Sequence, residues 1–199
     1  MTKDRLMAFC DGCITIFMTI MVLDFSTPDG NSLRDLQELI PTFISYGLSF
    51  LMLGIYWVNH HHMFATVKTI NGAIMWVNLL WLFFLSLISF ASGWMGDSGF
   101  APGPVALYGI LLTLCHMTFV LIQTTVIKEQ KRLNDCGEHC SILAVAVGER
   151  RKEWITGVCY ILGAVISMVS VAMVFLSLFL YAAGTALWFI PDRGIEKIV

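Results

Sequence analysis

The stretch that decides the fold runs from Arg5 to Leu23 and reads RLMAFCDGCITIFMTIMVL. The hydrocarbon core of a bilayer is about 30 Å thick and takes about 20 apolar residues of helix. Lys3 precedes the run, as a basic residue does in a signal sequence, but the apolar part of a signal spans only about 7 to 15 residues and ends at small residues. This run continues to Asp24 without such a site. The stretch therefore predicts a membrane helix that is retained.

The composition of the whole chain agrees with a membrane protein. Of its 199 residues, 57% are hydrophobic and 13% are charged, and the mean hydropathy is +0.77. Soluble domains carry about 25% charged residues, so a soluble globule is excluded. The net charge is -2, with no basic cluster on one predicted face, which argues against a nucleic-acid partner. The six cysteines fall mostly in apolar runs or near Asn134, a pattern that favours a reducing compartment over a disulfide framework.

Apolar runs separated by charge predict an all-α membrane protein with six transmembrane helices per subunit, in a single domain over residues 1–199. The predicted spans lie near residues 5–25, 42–66, 72–96, 104–127, 154–171 and 173–190. The last two belong to one long apolar run, which is too long for one helix of about 20 residues. We interpret this run as a tight helical hairpin that turns near Ser167 to Ser170.

The Lys and Arg residues predict the orientation, because cytoplasmic loops of membrane proteins collect positive charge. With six spans and the N-terminus inside, all 12 Lys and Arg residues except Arg34 lie on the cytoplasmic side. Both termini are therefore predicted to be cytoplasmic. The short chain favours the plasma membrane of a prokaryote. Acidic residues such as Asp24 then face outward, where they can raise the local cation concentration.

A short surface helix is predicted between the first two spans. Ser32 followed by Asp35 is typical of a helix N-terminus with an acidic third position. The spacing of Leu33, Leu36 and Leu39 predicts that these three side chains point inward.

Ionisable residues inside the spans are candidates for function, since each costs about 2.5–3.5 kcal/mol on insertion scales. Asp11 lies nearly two turns into the first span, and its candidate partners are the polar residues 59–62, Asn-His-His-His, of the second span. One interpretation is a buried structural pair of Asp11 with a histidine. The other is direct handling of protons by Asp11 and His60, because histidine titrates near neutral pH.

The histidines and cysteines also raise a metal hypothesis. Contiguous histidines on a helix point about 100° apart, so few of those at 60–62 can share one centre. Cys136, His139 and Cys140 form a second cluster, but a structural zinc site needs four ligands. We therefore predict no metal, no cofactor and no enzyme activity, and a membrane enzyme remains a weaker alternative.

One face of the first span is continuous. At 100° per residue, four residues share a face about 100° wide: Ile16, Thr19, Ile20 and Leu23. On its own, such a stripe is typical of packing against neighbouring helices or lipid.

The first span resembles the R-x-x-x-F-S-D signature of the transmembrane protein 175 family of organellar and prokaryotic potassium channels. Three residues match the signature: Arg5, Phe9 and Asp11. The positions of Ile16, Thr19, Ile20 and Leu23 after the aspartate also fit. Downstream, Trp57, His60 and Asn78 resemble the family's W-x-x-H-H segment and third span. Cys10 stands where the family usually has Ser, and a thiol is a weak donor, so the resemblance implies a looser site there.

The resemblance implies a homotetramer in which the first helix of each subunit lines a central pore through the bilayer. Ile16, Ile20 and Leu23 would then form a hydrophobic constriction, and Thr19 a ring of hydroxyls. The implied polar framework that orients this helix comprises Arg5, Phe9, Asp11, Trp57, His60 and Asn78. Because no T-V-G-Y-G filter occurs, selectivity should be modest. The predicted function is passive, potassium-favouring cation conduction. The main alternative is a proton pathway or proton-coupled transporter that uses Asp11 and His60.

Overall fold

The computed structural model describes residues 2–23, 25–28, 30–65, 67, 69–132 and 151–189. Regular structure in these ranges is entirely helical, as expected for a chain in lipid, where a backbone must satisfy its own polar groups. The α-helices are α1 (Lys3–Leu23), α2 (Ile40–Ala65), α3 (Gly72–Asp97), α4 (Pro102–Arg132), α5 (Arg151–Ser167) and α6 (Val174–Ala186). The predicted all-helical subunit with six helices fits this set.

The helices differ in length in a way that matters for the membrane. Helices α1 to α4 are long and apolar enough to cross a bilayer. Helix α5 has 17 residues and α6 has 13, both fewer than the about 20 that a crossing needs. The predicted hairpin is confirmed, with its turn between Ser167 and the 3-10 helix Val171–Met173. Its arms are shorter than the predicted spans 154–171 and 173–190.

A tight turn joins α3 to α4. Gly99 has φ 59° and Phe100 has φ 64°, the left-handed region that favours glycine. The Phe100 N–H donates to the Met95 carbonyl at 3.0 Å, which is typical of a left-handed helix C-cap. Ser98 Oγ accepts from the N–H of Ala101 at 3.2 Å, just before α4 begins. Helices α3 and α4 therefore run antiparallel.

Helix α3 lies at the centre of the subunit, in contact with α1, α2 and α4. A Cβ at Gly96 would lie 2.6 Å from Thr42 Cα, so α2 and α3 approach closely there. Ser49 of α2 lies 2.9 Å from the hydroxyls of both Ser92 on α3 and Tyr108 on α4. Buried hydroxyls that bond one another satisfy their polar groups without water. They join these three helices in the half of the subunit that contains the α3–α4 turn.

Tyr181 of the hairpin packs closely against α4. The Tyr181 ring packs where Gly109 of α4 and Gly163 of α5 have no side chain. Its hydroxyl donates to the Val105 carbonyl at 3.1 Å. Small residues let helices approach closely in membranes, where helix packing depends on van der Waals contact.

The hairpin reaches only part of the way along α4. His116, midway along α4, donates from Nε2 to the carbonyl of Glu153 at the start of α5 (2.9 Å). Trp188, just after α6, lies 6.1 Å from His116 between ring centroids. Helix α4 continues to Arg132, about 24 Å beyond His116 at 1.5 Å per residue. The described residues of the hairpin therefore contact the N-terminal half of α4, from Val105 to Phe119.

The prediction that three leucines before α2 point inward is wrong for Leu33 and Leu36, whereas Leu39 is half-buried. A five-residue 3-10 helix, Asp35–Leu39, leads directly into α2. Leu33 is 86% exposed and Leu36 is 38% exposed, because no described element packs over this segment. The predicted capping role of Asp35 has a counterpart, since its carboxylate accepts from the N–H of Ser32 at 2.8 Å.

Candidate ion-conducting face

The predicted pore face of α1 is exposed in the subunit. Ile16, Ile20 and Leu23 are 54%, 43% and 77% exposed, and Thr19 is exposed as well. The buried residues of α1 are Leu6, Cys10, Ile14 and Met21. At 100° per residue, their face lies about 130° from the Ile16 face. Helix α1 therefore packs on its subunit through one side and leaves the predicted face free.

Two threonines on α1 direct their hydroxyl protons into their own helix. Thr19 Oγ1 lies 3.0 Å from the carbonyl oxygens of Thr15 and Ile16. Thr15 Oγ1 donates to the carbonyl of Asp11 at 2.7 Å. With the proton held by a carbonyl, each hydroxyl oxygen keeps lone pairs for a cation. Thr15 was not among the predicted site residues. Its spacing of four residues from Thr19 is the sequence pattern that places both threonines on one side of the helix.

Asp11 bonds to a tryptophan. Trp57 Nε1 of α2 donates to Asp11 Oδ1 at 2.9 Å. The interpretation of Asp11 and a histidine as a hydrogen-bonded buried pair has no counterpart for His60, whose ring bonds to Asn78 instead, and Asp11 is only half-buried. The reason is helix rotation: Asp11 lies about 100° around α1 from Cys10, at the edge of the packed face rather than within it.

A second polar chain links three helices. His60 Nε2 of α2 lies 2.8 Å from Asn78 Oδ1 of α3, and Asn78 Nδ2 donates to Cys10 Sγ of α1 at 3.0 Å. His60, Asn78 and Cys10 are all 0% exposed. The His60 ring also stacks on Trp81 at 4.8 Å and 8°. Cys10 acts here as an acceptor, so the weak donor strength that implied a looser site does not come into play.

The predicted framework divides into two groups. Helix packing and hydrogen bonds join four of its members, Asp11 with Trp57 and His60 with Asn78. Arg5 and Phe9 lie instead on the exposed side of α1, and Phe9 is 50% exposed. Within the described residues, the Arg5 side chain makes no hydrogen bond or ion pair. The expectation that Arg5 and Phe9 orient the helix against α2 and α3 has no counterpart in the contacts of one subunit.

The candidates for a metal site are the histidines of α2 and the Cys/His cluster after α4. In the part of the chain that the structure describes, no three His, Cys, Asp or Glu side chains are grouped to hold a metal ion. His61 is exposed beside Trp57, at 6.2 Å between ring centroids. The proposed cluster of Cys136, His139 and Cys140 lies outside the described residues, as does Asp24.

Comparisons with known proteins agree with this geometry. The family described as endosomal/lysosomal potassium channel TMEM175 matches residues 5–88. A protein named as a potassium channel from Chryseobacterium sp. (strain P1-3) is 41% identical over 197 residues, 99% of this chain and 97% of that protein. The chain belongs to the TMEM175 family. The matched range includes the residues of α1, α2 and α3 whose contacts are described above.

The fold of this TMEM175 chain is shared with solved structures. A TMEM175 homologue from Chamaesiphon minutus, described as a lysosomal potassium-selective channel homologue, has a TM-score of 0.77 at 19% identity, with 94% of this chain and 96% of that chain covered. The human relative, named endosomal/lysosomal proton channel TMEM175, is 29% identical over 116 residues, 52% of this chain and 23% of the relative. Membership of a channel family makes this chain a membrane channel protein and argues against the membrane-enzyme alternative.

Proposed function

We propose that this chain is one subunit of a homotetrameric, potassium-favouring cation channel whose pore is lined by α1. The observation that carries the proposal is the exposed face of Ile16, Thr19, Ile20 and Leu23, opposite the packed side of the helix. One helix cannot enclose a path, and closed cyclic symmetry is the usual way to enclose one with identical copies. The bacterial relative named as a potassium channel supports potassium as the conducted ion.

The face has the chemistry of a narrow, partly dewetted pore. Rings of Ile16, Ile20 and Leu23 place branched apolar side chains around the axis, and such rings gate by excluding water. Thr19 adds hydroxyl oxygens, which replace part of a cation's hydration shell. Selectivity then depends on pore width and a few hydroxyls rather than on a cage of carbonyls, so discrimination between potassium and sodium is modest. Conduction is passive and needs no cofactor.

The interhelical contacts hold α1 at a fixed rotation. The Trp57–Asp11 bond restrains one edge of the helix, and the Asn78–Cys10 bond restrains its packed face. Together they leave the helix little freedom to turn about its axis. Their function in the proposal is to orient the Ile16 face rather than to touch the ion.

The orientation follows from charge. We propose that both termini lie in the cytoplasm of a prokaryotic cell and that the channel sits in the plasma membrane. Lys128, Lys131 and Arg132 at the end of α4 and Arg151 at the start of α5 are then on the cytoplasmic side, as the positive-inside rule requires. Several other cationic residues, Lys68, Arg150, Arg193 and Lys197, lie outside the described part of the chain.

The test is potassium flux into liposomes with a matched pair of variants. Ile16→Ala should widen one ring, raise potassium flux severalfold and shift the reversal potential toward weaker discrimination against sodium. Ile161→Ala is the control, because Ile161 on α5 is 51% exposed, close to the 54% of Ile16, but lies on the hairpin. If the two variants behave alike in well-assembled protein, the Ile16 face does not line the pore.

Assembly is tested in the same preparations. Native mass spectrometry should detect a complex of four chains of 22.3 kDa each. A stable monomer that still supports flux would overturn the shared pore.

Proton conduction is the second candidate function. Vertebrate relatives named endosomal/lysosomal proton channel favour it. The relay from Asp11 to His60 has no support, because these residues bond to Trp57 and Asn78 instead. A pH-sensitive dye in the potassium-loaded liposomes separates the two functions. Proton entry without potassium exit would show that the channel conducts protons and not potassium.

A further inference from the structure

Unpartnered polar atoms concentrate in one part of the subunit. Among the described residues, the side-chain nitrogen and oxygen atoms that are buried without a hydrogen-bond partner are His60 Nδ1, His62 Nδ1, Trp81 Nε1 and Gln123 Oε1. They belong to α2, α3 and α4. Trp81 stacks on His60 and lies 5.6 Å from the Phe119 ring, one helical turn from Gln123. The cluster therefore lies in the half of the subunit that contains the α2–α3 connection.

In the His60–Trp81 stack, one ring lacks a hydrogen-bond donor and the other lacks an acceptor. Asn78 donates its amide N–H to Cys10, so its oxygen accepts, and His60 Nε2 must carry the proton of their 2.8 Å bond. His60 Nδ1 is then a lone-pair acceptor in the neutral ring, while the indole Nε1 of Trp81 is a donor only. Both side chains are 0% exposed.

These two atoms cannot satisfy each other directly. The two rings are nearly parallel, with 8° between their planes and 4.8 Å between their centroids. The N–H bond of Trp81 lies in its own ring plane, so it runs alongside the imidazole rather than toward the His60 lone pair. Each atom therefore needs another partner, and a small group that both accepts and donates is the simplest one for the two together.

We propose that internal water binds at the His60–Trp81 stack, accepting from Trp81 Nε1 and donating to His60 Nδ1, and that it is reached past Gln123. Water is the ligand that fits, because buried waters bond otherwise unsatisfied polar groups with two to four hydrogen bonds. A cation would be repelled by the indole N–H, and a lipid chain would satisfy neither nitrogen. Gln123 Oε1, one turn beyond Phe119 on α4, is a further buried acceptor without a partner.

The bound water has a consequence for the support of α1. By donating to Nδ1, it favours the tautomer in which His60 Nε2 carries the proton. That proton holds Asn78 Oδ1 and so turns the Asn78 amide toward Cys10. Hydration of the stack thus stabilises the polar chain from α2 to α1, whichever ion the channel conducts.

The test is water-to-indole magnetisation transfer by NMR on the full-length protein with ¹⁵N-labelled tryptophan in nanodiscs. The Trp81 signal is assigned by its loss in Trp81→Phe or, if that variant does not fold, by elimination with single Trp→Phe variants of the other tryptophans. Trp188 is the reference, because its indole donates directly to Thr156 Oγ1 at 2.9 Å. Trp81 should receive transfer from water although its side chain is fully buried. An assigned Trp81 signal without transfer overturns the proposal.

The route is tested by Gln123→Leu, which removes the acceptor at similar volume. Transfer to Trp81 should fall at least twofold, while the Trp188 signal stays unchanged. If transfer to Trp81 persists at full strength in this variant, the water reaches the stack by another path and the assigned role of Gln123 is wrong.

Discussion

Asn78→Leu should lower the free energy of unfolding of the subunit, because Asn78 bonds both neighbours in the buried chain, His60 and Cys10. The substitution leaves the His60 Nε2 proton without its acceptor, and a buried unsatisfied donor costs about 1–3 kcal/mol. It also removes the bond to Cys10 Sγ, and interhelical hydrogen bonds in membranes contribute about 0.6 kcal/mol on average. The sum is about 1.5–4 kcal/mol, which is about a 10- to 700-fold change in the unfolding equilibrium at 1.4 kcal/mol per factor of ten.

The assay is reversible unfolding in mixed micelles, arranged as a double-mutant cycle. His60→Phe keeps a ring stacked on Trp81 but removes the N–H, so Asn78→Leu should cost less in that background by the cost of the unsatisfied donor, about 1–3 kcal/mol. Ser86→Ala is the control on the same helix, because Ser86 Oγ donates only to the Phe83 carbonyl of its own helix. It should change the unfolding free energy by less than about 0.5 kcal/mol.

One outcome of the cycle would refute the reasoning. If Asn78→Leu costs the same with and without His60, to within the about 0.3–0.5 kcal/mol expected of independent sites, the two side chains are not coupled. The 2.8 Å bond between them would then make no energetic contribution. Reversal potentials should change little in either variant, since neither residue faces the proposed pore.

Three further variants test other contacts. Thr19→Val should lower potassium-over-sodium discrimination in a bi-ionic reversal-potential measurement with little loss of thermal stability, because it removes a hydroxyl at nearly constant volume; unchanged discrimination would exclude Thr19 from ion coordination. Trp57→Phe should lower assembly yield in native mass spectrometry, because it leaves Asp11 without its 2.9 Å donor; a normal yield would show that this bond does not hold α1. Gly163→Ala should lower the free energy of unfolding by about 1–3 kcal/mol through overpacking against Tyr181. Tyr181→Leu in the same chain should offset part of that loss.

The long helices could be predicted from sequence because the bilayer imposes their length. The predicted span 72–96 compares with Gly72–Asp97, and 5–25 with Lys3–Leu23. The helix that contains the predicted span 104–127 continues beyond it through a charged turn to Arg132, where Glu129 accepts from the guanidinium at 2.7 Å. Hydropathy marks where a helix leaves lipid, but not where it ends.

The partners of the buried polar residues could not be predicted in the same way. The sequence indicates which residues share a face of one helix, but the rotation of each helix against its neighbours depends on packing across the whole subunit. Trp57 and His60 are three residues apart on α2, yet Trp57 reaches Asp11 while His60 reaches Asn78. The prediction that Leu33 and Leu36 point inward was wrong for a related reason, since a regular spacing does not supply a surface to pack against.

The short hairpin gives the subunit two hydrophobic heights. Helix α3, with 26 residues, is about 39 Å long, while α5, with 17, is about 26 Å at 1.5 Å per residue. Lipids beside α5 must compress or tilt to cover it, at a cost of fractions of a kcal/mol per Å. A bilayer of longer acyl chains should therefore weaken the docking of the hairpin through Tyr181, and one of shorter chains should strengthen it.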